Sequence, residues 1–187
     1  MVRLFAMIAA VALLAVPSVS AEDSHSEGLC KGDRLDAFYV TKVAGAEGDG
    51  IDVGEDLCYR CRYGSRPMVM VFTRNAGEGV AKFVKELDSA VAAHEDAQLK
   101  GLVTVIGAES DALKQHAKSI AEMAGAKNVP VVAAKDTQNG PEAYKLNADT
   151  DVTVVIASDS SVVARHEFKA NGIDVAAVMG EVKKMLN

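Results

Sequence analysis

Two cysteines three positions apart are the residues of this sequence best suited to chemistry. Cys58 and Cys61 lie in the segment Leu-Cys-Tyr-Arg-Cys-Arg-Tyr. Redox-active pairs use this spacing, and so does each half of a zinc site built from four cysteines. Nearby arginines, Arg60, Arg62 and Arg66, carry guanidinium groups of the kind that stabilises thiolates. The segment predicts thiol–disulfide exchange, with Cys58 as the nucleophile and Cys61 as the resolving thiol.

Two structural interpretations of the cysteines stay open beside the redox one. On the chain-entropy model, a bond within the short Cys-x-x-Cys loop stabilises the fold by only ~2 kcal/mol, whereas a bond from Cys30 to Cys58 contributes ~3.5 kcal/mol. A structural disulfide would therefore use Cys30. The other interpretation is a Cys₃His zinc site that combines Cys30, Cys58, Cys61 and one histidine.

The histidines give the zinc interpretation little support. The four histidines of the sequence have neither ligand spacing nor triad spacing, and no second Cys-x-x-Cys is present. We therefore predict no metal and no other cofactor. Three cysteines cannot all pair within one chain, so one thiol is left over or the third takes part in exchange. Cys30 is therefore predicted to be a supporting residue.

A buried strand follows the cysteine segment and is the central element of the predicted fold. Residues 68–73 are six consecutive apolar or β-branched residues that follow Pro67, which is typical of a strand covered on both faces. Hydrophobic periodicity and turn residues predict the other elements. These are a β-hairpin over 38–54, helices over 78–95, 110–124 and 173–186, strands over 99–108 and 128–133, a short helix over 141–146, and a hairpin over 152–168. This order predicts a three-layer α/β sandwich with a mixed sheet.

The amino terminus has the features of a secretory signal peptide. Arg3 precedes an apolar run over 4–16, and Val-Ser-Ala ends at Ala21 with small residues suited to cleavage. We predict a signal peptide over 1–21, a flexible tether over 22–33 and a single domain over 34–187. The protein is therefore expected to be exported, to the periplasm or to the outside of the cell.

Charge and composition limit the classes of partner. The chain has 20 basic and 26 acidic residues, for a net charge of −6, and few aromatic residues. An acidic surface argues against nucleic acid and anionic membranes as partners. The apolar run is shorter than the ~20 residues that span a bilayer, so no membrane insertion is expected after signal cleavage. Protein or small-molecule thiols and disulfides are the expected partners.

The sequence resembles the thioredoxin-like superfamily, in its peroxiredoxin-like (AhpC/TSA-type) branch. Residues 32–40, Gly-Asp-Arg-Leu-Asp-Ala-Phe-Tyr-Val, are similar to the opening of that family, residues 67–72 to its central strand, and residues 151–168 to its C-terminal hairpin. The resemblance covers 32–187. It implies a thioredoxin-like three-layer sandwich whose mixed central sheet carries an N-terminal β-hairpin extension.

Two residues that the resemblance leads one to expect are missing. The family places its reactive cysteine after the central strand, where this chain reads Thr-Arg-Asn-Ala-Gly-Glu over 73–78. It also places a cis-proline before the C-terminal hairpin, where this chain reads Asp-Thr-Asp-Val over 149–152. The resemblance therefore implies little or no peroxidase activity and a displaced Cys-x-x-Cys.

The displacement leads to an expectation about position. Cys58 and Cys61 precede the central strand, so we expect them near its amino end, far from the amino terminus of the helix over 78–95. Any lowering of a thiol pKa would then come from Arg60, Arg62 or Arg66.

Two functions remain in competition at this stage. The first is thiol–disulfide exchange in an exported protein. The alternative is a non-catalytic binding or scaffold domain, whose cysteines form a structural disulfide or a zinc site. Fold class does not decide between them, so whether the protein is an enzyme stays open. Reduction by a mild dithiol distinguishes the two, because a structural bond resists it.

Overall fold

A mixed β-sheet forms the centre of the molecule, and helices cover both of its faces. The computed structural model describes residues 28–108, 110–135 and 138–187. The predicted signal peptide and most of the predicted tether lie outside these ranges. The described elements are β1 (Val40–Ala44), β2 (Asp56–Leu57), α1 (Tyr59–Tyr63), β3 (Met68–Thr73), α2 (Glu78–Ala93), β4 (Lys100–Val105), α3 (Ser110–Ala124), β5 (Val131–Ala134), a 3₁₀-helix (Glu142–Tyr144), β6 (Val152–Ser158), β7 (Ser161–Phe168) and α4 (Val175–Leu186).

The order of strands across the sheet is β2-β1-β5-β4-β3-β6-β7. Strands β3, β4 and β5 run parallel, and the pairs β1/β2, β1/β5, β3/β6 and β6/β7 are antiparallel. The mixed sheet predicted from the sequence is therefore confirmed, and β1 with β2 forms the N-terminal hairpin.

The central strand separates two hydrophobic cores. All six residues of β3 are buried, and successive side chains point to opposite faces. Val69 and Val71 pack into the core that α2, α3 and α4 cover. Met68, Met70 and Phe72 pack into a second core, which α1 and the 3₁₀-helix cover. The three-layer α/β sandwich is confirmed, with α1 and α2 on opposite faces.

The first hairpin differs from its predicted boundaries. A return strand was expected over 51–54, but β2 begins at Asp56. Gly54 has a φ of 92°, a conformation that glycine adopts without strain, and its N–H donates to the carbonyl of Lys42. The loop before it is held by the Lys42 ammonium, which hydrogen-bonds to the carbonyl of Ile51. These bonds hold residues 51–54 in a loop, so the return strand begins only at Asp56.

The last residues of the predicted tether contact the sheet. The N–H of Gly32 donates to the carbonyl of Val162, and the N–H of Val162 donates to the carbonyl of Asp33. Arg34 then forms a β-bridge with Ser161 at the start of β7. The described chain therefore joins the sheet at its β7 edge, while the domain boundary near residue 34 stays a prediction.

Within the described ranges, no helix combines the length and the apolar character needed to cross a membrane.

Candidate functional site: the Cys58–Cys61 disulfide

The cysteine segment enters α1 from the edge strand β2. Leu57 pairs with Val40, and Val40 pairs with Ala134, the last residue of β5. Because β3, β4 and β5 are in register, the paired residues Leu57, Val40 and Ala134 lie at the edge of the sheet where the parallel strands have their carboxyl ends. Cys58 follows at once, and the chain then returns across the face of the sheet to Pro67.

Two tyrosines attach α1 to the second core. Tyr59 and Tyr63 are both buried, and their spacing of four residues places them on one side of the helix. The Tyr63 hydroxyl donates to the carbonyl of Gly101 at 2.9 Å. Burial raises the pKa of each phenol far above its usual value, so both keep their protons. Gly64, with a φ of 64°, ends the helix.

Asp49 in the β1–β2 loop fixes the first turn of α1. Its carboxylate accepts from the Tyr59 hydroxyl at 2.6 Å and from the buried Lys42 ammonium at 2.7 Å. Its carbonyl accepts from the guanidinium of Arg62 at 2.7 Å. Burial alone would raise the pKa of Asp49, but the hydrogen bonds from Lys42 and Tyr59 outweigh it and hold the pKa below its ordinary value. The charge of Asp49 therefore couples the hairpin to the cysteine segment.

Cys58 and Cys61 form a disulfide at the start of α1. The S–S distance is 2.09 Å, and the Cα atoms are 5.2 Å apart. The two halves differ in exposure, since Cys58 is only 9% exposed whereas Cys61 is an exposed residue. The N–H of Cys61 donates to Sγ of Cys58 at 3.1 Å, so Cys58 is also the N-cap of the helix. The sequence did not predict this asymmetry.

The three predicted supporting arginines lie in or beside α1, and two of them are held by hydrogen bonds. Besides its bond to Asp49, Arg62 accepts at its carbonyl from the Arg66 guanidinium at 3.2 Å. Arg66 also bonds to Gln98. Nε of Arg60 is buried and has no hydrogen-bond partner among the described residues. Arg62 and Arg66 therefore serve the local structure, since their guanidinium groups are bonded to the β1–β2 loop and to Gln98.

A groove of about 580 Å³ lies beside the second half of α1. Four of its lining residues are basic and two are acidic: Arg62, Arg66, Lys100, Lys127, Asp49 and Glu95. The groove is therefore locally basic, although the chain as a whole is acidic.

Cys30 lies on the other edge of the sheet from the disulfide. It shares a surface cavity with Arg165 and Glu167 of β7, whereas Cys58 follows β2. Six strand spacings of ~4.8 Å separate these edges, or about 29 Å. The structure therefore does not bring Cys30 to the pair, and neither a Cys30–Cys58 bond nor a zinc site shared by the three cysteines fits this arrangement. Among the described residues, no group of three or more potential ligands could hold a metal ion.

The expectation that the pair lies near the amino end of the central strand is wrong for Cys58. The residue sits at the level of the carboxyl ends, because α1 folds back across the sheet. It is still far from α2. Strands β2 and β3 are four spacings apart, about 19 Å, and α1 and α2 pack on opposite faces.

The position after β3 is occupied by a polar turn. Thr73 Oγ1 donates to the carbonyl of Asn75, and the Asn75 side chain accepts from the N–H of Gly77. Gly77 is the N-cap of α2 and has no side chain to cap it. The turn residues thus satisfy backbone groups at the place where the resemblance led one to expect a cysteine.

Comparisons with known proteins identify the fold. No family model and no curated protein matches the sequence. Among solved structures, the chain is similar to AhpC from Enterococcus faecalis, with a TM-score of 0.62, 10% identity, and coverage of 84% of this chain and 92% of that one. It is also similar to the thioredoxin domain of a thiol-disulfide oxidoreductase from Bacteroides vulgatus, with a TM-score of 0.60, 16% identity, and coverage of 85% and 99%. The chain has a thioredoxin-like fold.

A third solved structure, of a peroxiredoxin, shares the fold. The yeast mitochondrial 1-Cys peroxiredoxin superimposes with a TM-score of 0.57 and 10% identity, over 84% of this chain and 76% of that one. The thioredoxin-like, peroxiredoxin-like resemblance inferred from the sequence is therefore confirmed at the level of fold.

Sequence reasoning missed Asp49 and Lys42, the residues that attach α1 to the hairpin. Asp49 lies in a glycine-rich loop, where an acidic residue is ordinarily exposed. One signal was available for Lys42. Lys42 lies two residues after Val40 in the first predicted strand, so the two side chains point to the same, inward face.

Proposed function

We propose that the protein exchanges thiols and disulfides through Cys58 and Cys61. The observation that carries the proposal is a Cys-x-x-Cys disulfide with one buried and one exposed half. A bond across so short a loop contributes only ~2 kcal/mol of stability, which is a weak structural reason to join these two cysteines. An exposed sulfur, in contrast, is what an external thiolate needs for attack.

The surroundings of the disulfide support the same function. Tyr59 and Tyr63 anchor α1 on its inner side, so the first turn is rigid while the outer side is open to a partner. Arg60, Arg62 and Arg66 lie within a few residues of the cysteines in the chain, and positive charge favours thiolates. The reaction takes two electrons from a substrate dithiol and leaves a substrate disulfide and two protein thiols, or runs in reverse.

The test is reversible reduction of the pair. The Cys30→Ser protein, which removes the third thiol, is equilibrated in glutathione redox buffers, and the reduced fraction is measured by alkylation and mass spectrometry. We expect a reversible equilibrium in the folded state and faster reduction of a disulfide-bonded protein by dithiothreitol. The matched control is the same protein with Cys58→Ser and Cys61→Ser.

The alternative is a non-catalytic binding or scaffold domain with a structural disulfide. The polar turn at the amino terminus of α2, which carries no cysteine, favours this alternative. It predicts a pair that stays oxidised in millimolar dithiol while the fold is intact, and no acceleration of substrate reduction. That result would contradict thiol–disulfide exchange and support the non-catalytic binding or scaffold function.

Export is part of the proposal and has its own test. It rests on Arg3, the apolar run over 4–16 and the cleavage sequence that ends at Ala21. We expect protein recovered from the exported fraction of the native host to begin near residue 22. An intact Met1 in that fraction would contradict the signal peptide without bearing on the exchange chemistry.

A further inference from the structure

We infer that Cys61, the second cysteine of the pair, carries the mixed disulfide with the substrate, and that Cys58 is the sulfur expelled and later regained. This inference rests on the proposed function and specifies its order of steps. It reverses the roles predicted from the sequence, in which Cys58 was the nucleophile.

The position of the two residues on α1 explains their exposure. Tyr59 and Tyr63 define the inner side of the helix. At 100° per residue, Cys61 lies about 200° from each of them, on the outer side. Cys58 precedes the helix at its N-cap and is 9% exposed. Cys61 is therefore the more accessible residue of the pair for a macromolecular partner.

The direction of attack strengthens the difference. A thiolate displaces a disulfide sulfur by approaching along the S–S axis, on the side away from the leaving sulfur. A thiolate that attacks Cys61 approaches an exposed residue, whereas one that attacks Cys58 approaches a residue that is only 9% exposed. Access therefore selects Cys61, and access is one of the factors that set exchange rates.

The leaving sulfur is held in place and has a donor. The N–H of Cys61 points at Sγ of Cys58 at 3.1 Å, where it would meet the negative charge that forms on expulsion. Tyr59, next to Cys58, is bonded to Asp49 at 2.6 Å, so the backbone at Cys58 stays fixed while the S–S bond opens.

The steps balance with a substrate dithiol as reductant. A substrate thiolate attacks Sγ of Cys61, the electron pair of the S–S bond passes to Sγ of Cys58, and a mixed disulfide joins the substrate to Cys61. The second substrate thiolate attacks the substrate sulfur of that bond and expels Cys61 as thiolate. The substrate is oxidised by two electrons, and Cys58 and Cys61 each take up a proton. In reverse, Cys61 attacks a substrate disulfide and Cys58 resolves it.

The first experiment compares single cysteines in the Cys30→Ser protein. The Cys58→Ser variant keeps only Cys61, and the Cys61→Ser variant keeps only Cys58. Each is reacted with oxidised glutathione near neutral pH, folded and in guanidinium chloride. We expect folded Cys61 to react at least roughly tenfold faster than folded Cys58, and the two rates to converge on unfolding, because access decides the difference.

A second measurement uses the intact pair, so that the result does not depend on how either variant folds. The oxidised Cys30→Ser protein is treated with glutathione, quenched in acid and digested with trypsin. Cleavage after Arg60 places the two cysteines on separate peptides. We expect the glutathione adduct on the Cys61 peptide.

The outcomes separate the inference from the proposed function. Equal folded-state rates, a faster Cys58, or an adduct on the Cys58 peptide would overturn the reversed order while leaving exchange chemistry intact. A pair that dithiol does not reduce in the folded protein would instead remove the proposed function, and the inference with it.

Discussion

At the scale of single residues, replacement of the arginines close to the cysteines in the chain tests whether those arginines stabilise a thiolate. We expect replacement of Arg60, Arg62 and Arg66 by Gln to slow alkylation of the reduced pair near neutral pH, because positive charge favours thiolates. Replacement of Asn75 by Ala should leave the rate unchanged, since α2 packs on the other face of the sheet. Iodoacetamide kinetics in the Cys30→Ser background measure both. A slower rate for the Asn75 variant alone would contradict this assignment.

Asp49 gives a pH-dependent prediction. Its pKa is lowered in the folded protein, so its contribution to stability is complete above the unfolded-state value of about 3.9 and is lost as pH falls through the lower folded-state value. We expect Asp49→Asn to destabilise the protein by about 3 kcal/mol at neutral pH, since it leaves Lys42 buried without its charged partner.

The difference between wild type and Asp49→Asn should narrow only below about pH 4. Urea denaturation from pH 7 to pH 2 measures it, and groups that titrate in both proteins cancel. A difference that stays constant down to pH 2 would show that Asp49 acts through packing and not through its charge.

At the scale of elements, Asp88 connects α2 to the segment before β5. The carboxylate is 8% exposed and accepts from the backbone N–H groups of Lys127, Asn128 and Val129, at 2.7 to 2.9 Å. We expect Asp88→Ala to lower the free energy of unfolding by about 3 kcal/mol, because it leaves these donors unsatisfied. Asp96→Ala, at an exposed position, is the control and should change it by less than about 0.5 kcal/mol. Similar losses in the free energy of unfolding for the two variants would show that Asp88 does not anchor the segment before β5.

The elements that the sequence predicted well are those with a strong hydrophobic pattern. The all-buried run of β3 and the stripe of α2 follow directly from burial on a sheet. The five residues of α1 have no such pattern, because a helix this short depends on the hydroxyl bonds of its two tyrosines to Asp49 and Gly101. Those partners are distant in the chain, so the local sequence did not reveal the helix.

The candidate site was predicted in part for the same reason. Spacing alone identified Cys58 and Cys61, since the chemistry of a Cys-x-x-Cys is local. Which half is exposed depends on the way α1 lies on the sheet, and the distance of Cys30 depends on the strand order. Both are properties of the whole fold, which the order of residues does not display.

At the scale of the whole molecule, the thioredoxin-like fold carries its cysteines away from the position after β3. We expect hydrogen peroxide turnover with a thiol reductant to be absent or very slow, because the turn before α2 holds no cysteine. A coupled peroxide assay with wild type, Cys58→Ser and Cys61→Ser measures it. Rapid turnover that disappears in either variant would mean that the displaced pair has taken over peroxide chemistry.

The ring that the disulfide closes contains only Tyr59 and Arg60 between its two cysteines. Tyr59 is bonded to Asp49, outside the ring, and Tyr63 to Gly101. Opening the S–S bond therefore breaks none of the contacts that hold α1 on the sheet. The oxidised and reduced proteins should present the same shape and the same charges everywhere except at the two sulfurs. A partner that distinguishes the two forms must do so by touching Cys61 itself.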